Sequence, residues 1–248
     1  MDGIIAKEII FGVHPVMEAL KAGVEVEKLM VQNAARSPQM TEILRLARQL
    51  EVPVQMVPVE KLNRLTRKNH QGIVAFTAHL SYQKLSAVLP MIFEAAMEPF
   101  LLILDRITDV RNFGAIARSA EASGVHALVV PSRGSAQINA EAVKTSAGAL
   151  HRVNVCREEN LKTTLHYLKE SGVKIVAVTE KASVEYWKAD LQGPVALILG
   201  AEDTGISEEY LKMADARIKM PMMGEIQSLN VSVAAGIACY EIVRQRNK

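Results

Sequence analysis

Cysteine, net charge and long apolar runs are scarce in this sequence, and each shortage argues against a class of protein. The only cysteines, Cys156 and Cys239, form no Cys-x-x-Cys pair. We therefore expect buried, unreactive thiols in a reducing, cytoplasmic setting rather than a disulfide framework. The formal net charge of +2 does not by itself indicate a nucleic-acid-binding protein, so any RNA-binding surface must be a local patch.

Signals for membrane insertion and for several enzyme classes are also missing. No apolar run is long enough to span a bilayer, and the charged N-terminal stretch 1–10 is unlike a secretion signal. Gly-x-Gly, Gly-Lys-Ser/Thr and Gly-x-Ser-x-Gly occur nowhere, which argues against a dinucleotide-binding dehydrogenase, a P-loop enzyme and a serine hydrolase. The six histidines include no i, i+4 pair around a glutamate, so we expect no metal site.

Hydrophobic residues make up 49% of the 248 residues, and they alternate between strand-like runs and amphipathic helical stretches. Residues 1–80 predict a small α/β domain, and the broken pattern over 81–98 predicts a linker with room for a short helix. From residue 99 to 248 the buried strand-like runs predict a mostly parallel sheet with helices on both faces. These runs are Phe100–Leu104, Ala127–Pro131, Lys174–Val178, Val195–Leu199 and Ala216–Met220.

Three polar blocks follow strands of the predicted sheet. The first runs from Leu104 to Arg118, the second from Leu199 to Gly205, and the third joins Met220–Met222 to Ser228–Ser232. In open α/β sheets, ligands bind at the carboxyl ends of strands, where helix starts also offer free N–H groups. The blocks therefore predict one ligand site built from three turns.

In their order and spacing, the three blocks resemble the SpoU (TrmH-type) branch of the SPOUT methyltransferases, over about residues 100–246. Residues 5–80 more weakly resemble that family's L30e-like RNA-binding domain. The stretch Ser135–Ala140 resembles the subgroup that methylates a guanosine 2′-hydroxyl in 23S ribosomal RNA. The resemblance implies methyl transfer from S-adenosylmethionine to an RNA ribose and a trefoil knot at the carboxyl end of the sheet, a rare exception to ordinary chain topology.

The resemblance also implies a homodimer in which Arg118 of one subunit faces the cofactor of the other. Transfer RNA is the alternative substrate, and a catalytically inert RNA-binding relative is the alternative from another class. Retention of the family's polar site residues argues against the inert reading.

By resemblance, five residues form the catalytic set: Asn112, Arg118, Glu202, Ser228 and Asn230. Arginine holds its proton tightly, so we expect Arg118 to clamp a phosphate and orient the hydroxyl, although the family's reading of it as a base stays open. Asn112 is equally well explained as a helix N-cap, as is Ser228, whereas Asn230 is expected inside the last, apolar helix.

The residues expected at the cofactor, again by resemblance, are Gly200, Ala201, Met220, Ser228 and Leu229. Gly200 and Gly205 are expected to adopt positive φ and to let the loop approach a ligand closely. The sequence departs from the family where Val110 replaces a proline and where Asp203 stands in place of a common glycine.

A basic stretch near the end of the first domain is the candidate RNA-binding patch, and its cations are Lys61, Arg64, Arg67 and Lys68. Such patches bind phosphates and give salt-dependent affinity. A solvated helix end is the alternative explanation.

Overall fold

The computed structural model describes residues 9–24, 26–33, 37–77, 82–136 and 138–247. The charged start of the chain and Gln137, in the subgroup-like stretch, lie outside these ranges. The chain divides into two compact units, Met1–Ser81 and Tyr82–Lys248. Among the described residues, no helix combines the length and the apolar character that a bilayer crossing requires.

The first unit is a four-stranded sheet with helices on both faces. Its strands and helices are β1 (Ile9–Phe11), α1 (Val13–Lys21), β2 (Val26–Gln32), α2 (Pro38–Gln49), β3 (Val54–Val57), α3 (Val59–Leu65) and β4 (Ile73–Thr77). The strand order is β1-β4-β2-β3. Strand β2 pairs in parallel with β3 and antiparallel with β4, so the sheet is mixed.

Each face of this sheet has its own core. Leu29 and Val31 of β2 pack with α1 and α2 on one face, whereas Met30 packs with Leu62 of α3 on the other. This alternation along β2 follows from the two-residue period of a strand. Helix α2 starts at Ser37, whose hydroxyl accepts a hydrogen bond from the Met40 N–H at 3.1 Å.

The second unit contains seven parallel strands and six α-helices among its described residues. The strands are β5 (Phe100–Asp105), β6 (Ala127–Pro131), β7 (Asn154–Glu158), β8 (Lys174–Val178), β9 (Val184–Glu185), β10 (Val195–Gly200) and β11 (Ala216–Lys219). The helices are α4 (Leu85–Glu94), α5 (Val110–Ala122), α6 (Ala140–Thr145), α7 (Leu161–Glu170), α8 (Glu208–Met213) and α9 (Val231–Arg246). The strand order is β7-β6-β5-β10-β8-β11-β9, which confirms the predicted parallel sheet flanked by helices.

Helix α4 lies within the span that the sequence suggested as a linker. Its apolar residues Leu85, Val88, Leu89 and Ile92 are buried in the same core as Ile103 of the central strand β5. Burial of this stripe against the sheet is favourable because it removes apolar surface from water. One face of helix α4 is therefore packed into the second unit's core.

The central strands β5 and β10 place the candidate site. They run in parallel with Asp105 beside Gly200, and β8 pairs with the other edge of β10. The loops after β5, β8 and β10 consequently leave the sheet at the same edge. The knotted path that the resemblance implies at this edge stays a prediction.

Helix α5 carries the first block and packs tightly against α6 at Gly114. A Cβ at this position would lie 2.8 Å from both the Ala142 carbonyl oxygen and the Thr145 Cβ. On its other side α5 meets α9, where Gly236 approaches Ser119. Small residues at these crossings fix the position of α5 relative to the sheet.

Candidate active site

Two neighbouring clefts lie at the carboxyl edge of the large sheet. The first, of about 310 Å³, is formed by the segments that follow β8, β10 and β11. The second, of about 210 Å³, lies between the segment after β5 and the same loop after β10. Ala201, Glu202, Asp203 and Val231 line both clefts. The loop after β10 therefore forms a wall common to the two.

The structure brings all five residues expected at the cofactor together around the first cleft. Gly200, Ala201, Met220, Ser228 and Leu229 all line it, although they come from two separate blocks of the sequence. Apolar lining from Leu199 and Ile206 at its floor accompanies them.

One further segment that lines the first cleft was not predicted from the sequence. Thr179, Glu180 and Lys181 directly follow β8 and line this cleft. The strand-end rule that identified the three blocks applies equally to Lys174–Val178, so the signal was present. Met222 of the third block and Gln227, directly before Ser228, also line it.

Three of the expected catalytic side chains form one hydrogen-bonded cluster. Glu202 Oε1 accepts hydrogen bonds from Asn112 Nδ2 at 2.9 Å and from Asn230 Nδ2 at 2.6 Å. Asn230 Nδ2 also lies 3.0 Å from Asn112 Oδ1. Because an ionised carboxylate can only accept, both amides must turn their Nδ2 groups toward it. The cluster thus joins α5, the loop after β10 and the start of α9.

The N-cap of α5 is Asp109, not Asn112 as the sequence allowed. Asp109 Oδ1 accepts from the N–H groups of Arg111 and Asn112, each at 2.8 Å. A carboxylate at this position also interacts favourably with the positive end of the helix. Because Asp109 performs the capping, the Asn112 side chain is available to Glu202.

The expected start of the last helix is likewise corrected. Its N-cap is Asn230, whose Oδ1 accepts from the Ser232 N–H at 3.0 Å and from the Ser232 hydroxyl at 2.6 Å. Ser228 lies in the exposed loop before the helix. Asn230 therefore caps α9 with its oxygen and binds Glu202 with its nitrogen.

Only one of the two glycines of the second block has the expected backbone conformation. Gly205 adopts a positive φ of 66°, as expected, but Gly200 does not. A Cβ on Gly200 would overlap the Gly205 carbonyl carbon and the Ile206 nitrogen. Gly200 is thus required because the loop folds back onto its own start.

Arg118 lies apart from this cluster. It is exposed on α5 and lines neither cleft. Among the described residues it has no hydrogen-bond or ion-pair partner. Its guanidinium is therefore free to bind a group that this unit does not itself contain.

The subgroup-like stretch supports the first block from one side. The Ala136 N–H donates to the Ile107 carbonyl oxygen at 2.7 Å, and Asn139 caps α6. Glu141 of α6 then pairs with Arg111 of α5 at 2.8 Å. This ion pair is exposed, so it orients the two helices more than it stabilises the fold.

The structure buries both cysteines. Burial raises the pKa of the Cys156 thiol, aided by the nearby Glu158 carboxylate, and the pKa of the Cys239 thiol, each to about 12. Neither thiol is a thiolate near neutral pH, so neither is a nucleophile. Among the described residues, no three His, Cys, Asp or Glu side chains are grouped as a metal would require.

The four cations of the basic patch lie exposed on one part of the first unit. Lys61 and Arg64 belong to α3, and Arg67 and Lys68 follow it. Buried His70 fixes the segment after α3, because its Nε2 lies 2.9 Å from Asn63 Oδ1 and its Nδ1 accepts from the Gly72 N–H at 3.0 Å. The patch is therefore presented by an ordered segment.

Two family comparisons agree with the two units. Residues 99–240 match the SpoU rRNA Methylase family, and residues 9–83 match the substrate-binding domain of RNA 2′-O ribose methyltransferases. The parallel sheet, with its clefts at one edge, and the appended small domain thus define an RNA 2′-O-methyltransferase of the SpoU/TrmH class. The chain belongs to the SpoU rRNA Methylase family.

Individual relatives agree over nearly the whole chain. YacO of Bacillus subtilis (strain 168), a candidate TrmH family tRNA/rRNA methyltransferase, is 35% identical over 240 residues, which cover 97% of this chain and 96% of YacO. The SpoU methyltransferase AviRb from Streptomyces viridochromogenes, solved in complex with the cofactor AdoMet, superposes with a TM-score of 0.62 at 25% identity. That match covers 96% of this chain and 90% of AviRb.

Two further solved structures differ in how much of the chain they cover. An AdoMet-bound rRNA methyltransferase from Sinorhizobium meliloti matches 95% of this chain and 86% of its own, with a TM-score of 0.61 at 26% identity. A TrmH/SpoU tRNA modifying enzyme of A. aeolicus matches 60% of this chain and 76% of its own, with a TM-score of 0.55 at 35% identity.

Proposed function

We propose that this protein transfers a methyl group from S-adenosylmethionine to a ribose 2′-hydroxyl of 23S ribosomal RNA, with guanosine as the target nucleoside. The observation that carries the proposal is the wall common to the two clefts. Glu202 stands in this wall and is held by two amides. A donor bound on one side and an acceptor on the other would meet at this residue.

The first cleft fits the cofactor chemically. Its volume of about 310 Å³ lies at the small end of ligand pockets, and Leu199, Ile206 and Leu229 offer an apolar surface for an adenine ring. The carboxylates of Glu202 and Asp203, which line the same cleft, favour a cationic sulfonium. Backbone groups of Met220 and Leu229 would hold the adenine and ribose, with Gly200, Ala201 and Ser228 around the rest.

When bound, S-adenosylmethionine supplies an electrophilic methyl group for in-line displacement by an oxygen nucleophile. The contribution of the protein is to align that oxygen and to remove its proton. The second cleft, between Thr108 and Glu202, is the place for the acceptor ribose. Asn112 and Asn230 hold the Glu202 carboxylate in one orientation, from which it can accept a hydrogen bond from the hydroxyl.

In this proposal, Arg118 of one subunit completes the active site of a second copy of the chain. It lines neither cleft of its own chain, whereas its fixed positive charge suits a phosphate beside the acceptor ribose. An exposed apolar stripe on the neighbouring helix α9, with Val233 and Tyr240 at 49% and 53% exposure, offers a surface for a homodimer. In such a dimer, each Arg118 would reach the partner's clefts.

We favour ribosomal over transfer RNA as the substrate because the rRNA methyltransferase relative matches both units of the chain. The rRNA methyltransferase relative covers 95% of this chain, whereas the tRNA modifying enzyme covers 60%. The basic patch would then bind phosphates of the ribosomal substrate. We place the protein in the cytoplasm, where that RNA is assembled.

The test is methylation of defined RNAs by the purified chain. With S-adenosylmethionine labelled in the methyl group, we expect label in 23S ribosomal RNA at a single guanosine 2′-oxygen, and none in transfer RNA. Label in transfer RNA alone would show that the substrate is transfer RNA and not 23S ribosomal RNA. If calorimetry showed no binding of S-adenosylmethionine, the chain would be an inert RNA-binding relative.

A further inference from the structure

A buried carboxylate stands at the base of the loop that carries Glu202. Asp105 ends β5 and is only 2% exposed. Its Oδ2 accepts hydrogen bonds from the Ser207 N–H and the Ser207 hydroxyl, both at 2.7 Å. Arg106 adds contacts from Nε to Oδ1 at 3.2 Å and from Nη2 to Oδ2 at 3.3 Å. A buried charge is tolerated only when it is partnered in this way.

The hydroxyl of Ser207 binds this carboxylate and does not cap its own helix, α8. It occupies the N-cap position of α8, yet its side chain makes no capping hydrogen bond. A serine at this position normally accepts from an N–H group of the first helical turn. Its hydroxyl is used instead to connect the end of the loop to Asp105.

Arg106 holds the same loop from the other side. Its Nη2 donates to the Gly205 carbonyl oxygen at 3.1 Å, and the Gly205 N–H in turn donates to the Ala201 carbonyl oxygen at 2.8 Å. Arg106 adopts a positive φ of 59°, which is unusual for a residue with a side chain and persists only where surrounding contacts determine it. The unusual backbone conformation of Arg106 is therefore maintained by contacts such as the hydrogen bond to Gly205.

We infer that Asp105 is a positioning residue for methyl transfer, which acts through Ser207 and Arg106 to set the loop of residues 200–206. The loop begins at Gly200, beside Asp105 in the sheet, and returns to Asp105 at Ser207. Glu202 lies between these two fixed ends and accepts hydrogen bonds from the side-chain amides of Asn112 and Asn230. The inference rests on the proposed function, and it extends that function to residues that touch neither donor nor acceptor.

The test compares serine variants of the full-length protein in the methylation assay. Ser207→Ala removes one hydrogen bond to the carboxylate but leaves the backbone N–H in place. We expect kcat to fall about tenfold, since hydrogen bonds to charged groups are among the strongest. Ser207→Thr keeps the hydroxyl and should restore kcat. Ser171→Ala is the matched control, because it removes a 2.8 Å hydroxyl bond to the Tyr167 carbonyl oxygen at the end of α7.

A double variant separates positioning from a loss of general stability. If the contact acts through Glu202, Ser207→Ala should cause no further loss of kcat in a Glu202→Gln background. The inference is overturned if Ser207→Ala stays within about twofold of wild type, if Ser171→Ala loses as much activity, or if the two losses are additive. Failure of the wild-type protein to transfer methyl groups would instead refute the proposed function.

Discussion

Asn230 Nδ2 lies 2.6 Å from Glu202 Oε1, so the residue that caps helix α9 is also bonded to the loop after β10. One side chain thereby sets the start of a helix and the orientation of a carboxylate. Asn112 reaches the same oxygen from α5. The three residues come from the three separate blocks of the sequence, and their contact is the point at which those blocks become one site.

Substitutions of Asn230 should separate capping from positioning. Asn230→Asp keeps an oxygen for the Ser232 N–H but replaces the donor facing Glu202 with a second carboxylate. We expect kcat to fall at least about tenfold while the melting temperature stays within a few degrees. Asn230→Ala should lose the same activity and also about 1 kcal/mol of stability with the cap. An Asn230→Asp enzyme with wild-type kcat would remove Asn230 from the catalytic set.

Arg118→Ala should abolish methyl transfer while leaving the affinity for S-adenosylmethionine largely intact, because the proposed partner of Arg118 is an RNA phosphate beside the acceptor ribose and not the cofactor. Arg152→Ala is the control, since it removes another exposed arginine of the same unit, one paired with Glu121. Calorimetry and the methylation assay report the two properties separately. Turnover that survives Arg118→Ala would rule out the assigned role.

Mixed dimers test whether Arg118 acts on the partner subunit. The Arg118→Ala chain, which is inactive alone, and the Glu202→Gln chain, which keeps only a low residual activity, should together regain about a quarter of wild-type activity when they are refolded at equal amounts, because half the dimers are mixed and each has one intact site. Each variant refolded alone is the control. No recovery would mean that Arg118 and Glu202 must belong to one chain, or that the chains do not associate.

Gly200→Ala should destabilise the wall between the clefts. The added methyl group would overlap Gly205 and Ile206, and overpacking of this kind costs about 1–3 kcal/mol. We expect a lower melting temperature and weakened binding of S-adenosylmethionine. Gly224→Ala is the control, because a Cβ there would meet no atom within 4 Å. Equal binding by both variants would show that the loop tolerates displacement.

The sheet could be predicted from sequence because its central strands are buried on both faces. Every residue of β5 is buried, as is nearly every residue of β10, so each reads as a continuous apolar run. Helix α4 was predicted only as a short helix for which a linker had room, although Leu85, Val88, Leu89 and Ile92 follow helical spacing. Pro90 obscured it, although the structure accommodates this proline within the helix.

The finer parts of the site depend on where the chain lies in space. Asp109 and Asn112 are both good N-caps by type, and only the path of the loop after β5 decides that Asp109 is used. The need for glycine at position 200 likewise arises from a contact with residues 205 and 206, which no local pattern encodes. The hydrogen bond between Asp105 and Ser207 joins the first block to a residue that follows the second, and no local sequence pattern predicts it.

Neutralising the basic patch should flatten the salt dependence of RNA binding. Each phosphate contact contributes about 0.7–0.9 to the slope of log affinity against log salt, so replacing Lys61, Arg64, Arg67 and Lys68 with glutamine should reduce that slope. Replacing Lys21, Arg45 and Arg48 of the same unit is the control. An unaltered slope in filter-binding titrations would place the RNA-binding surface elsewhere.

Stability should fall in mild acid because of His126. This side chain is half-buried, and its Nδ1 accepts from the Phe100 N–H at 3.0 Å at the start of the central strand β5. Burial, together with the positive charge of Arg246, lowers the pKa of His126 below its ordinary value of 6.5. The unfolded chain therefore takes up the proton first as the pH falls.

It follows that the contribution of His126 is intact above that ordinary value and is lost as the pH falls through it toward the lower pKa of the folded state. Protonation of Nδ1 would also remove the acceptor for the Phe100 N–H. We expect the free energy of unfolding, from urea titrations between about pH 7.5 and about pH 5.5, to fall more in wild type than in His126→Gln. His151→Gln, at an exposed position of the same unit, should follow wild type. Parallel pH profiles for wild type and His126→Gln would show that another group governs the loss.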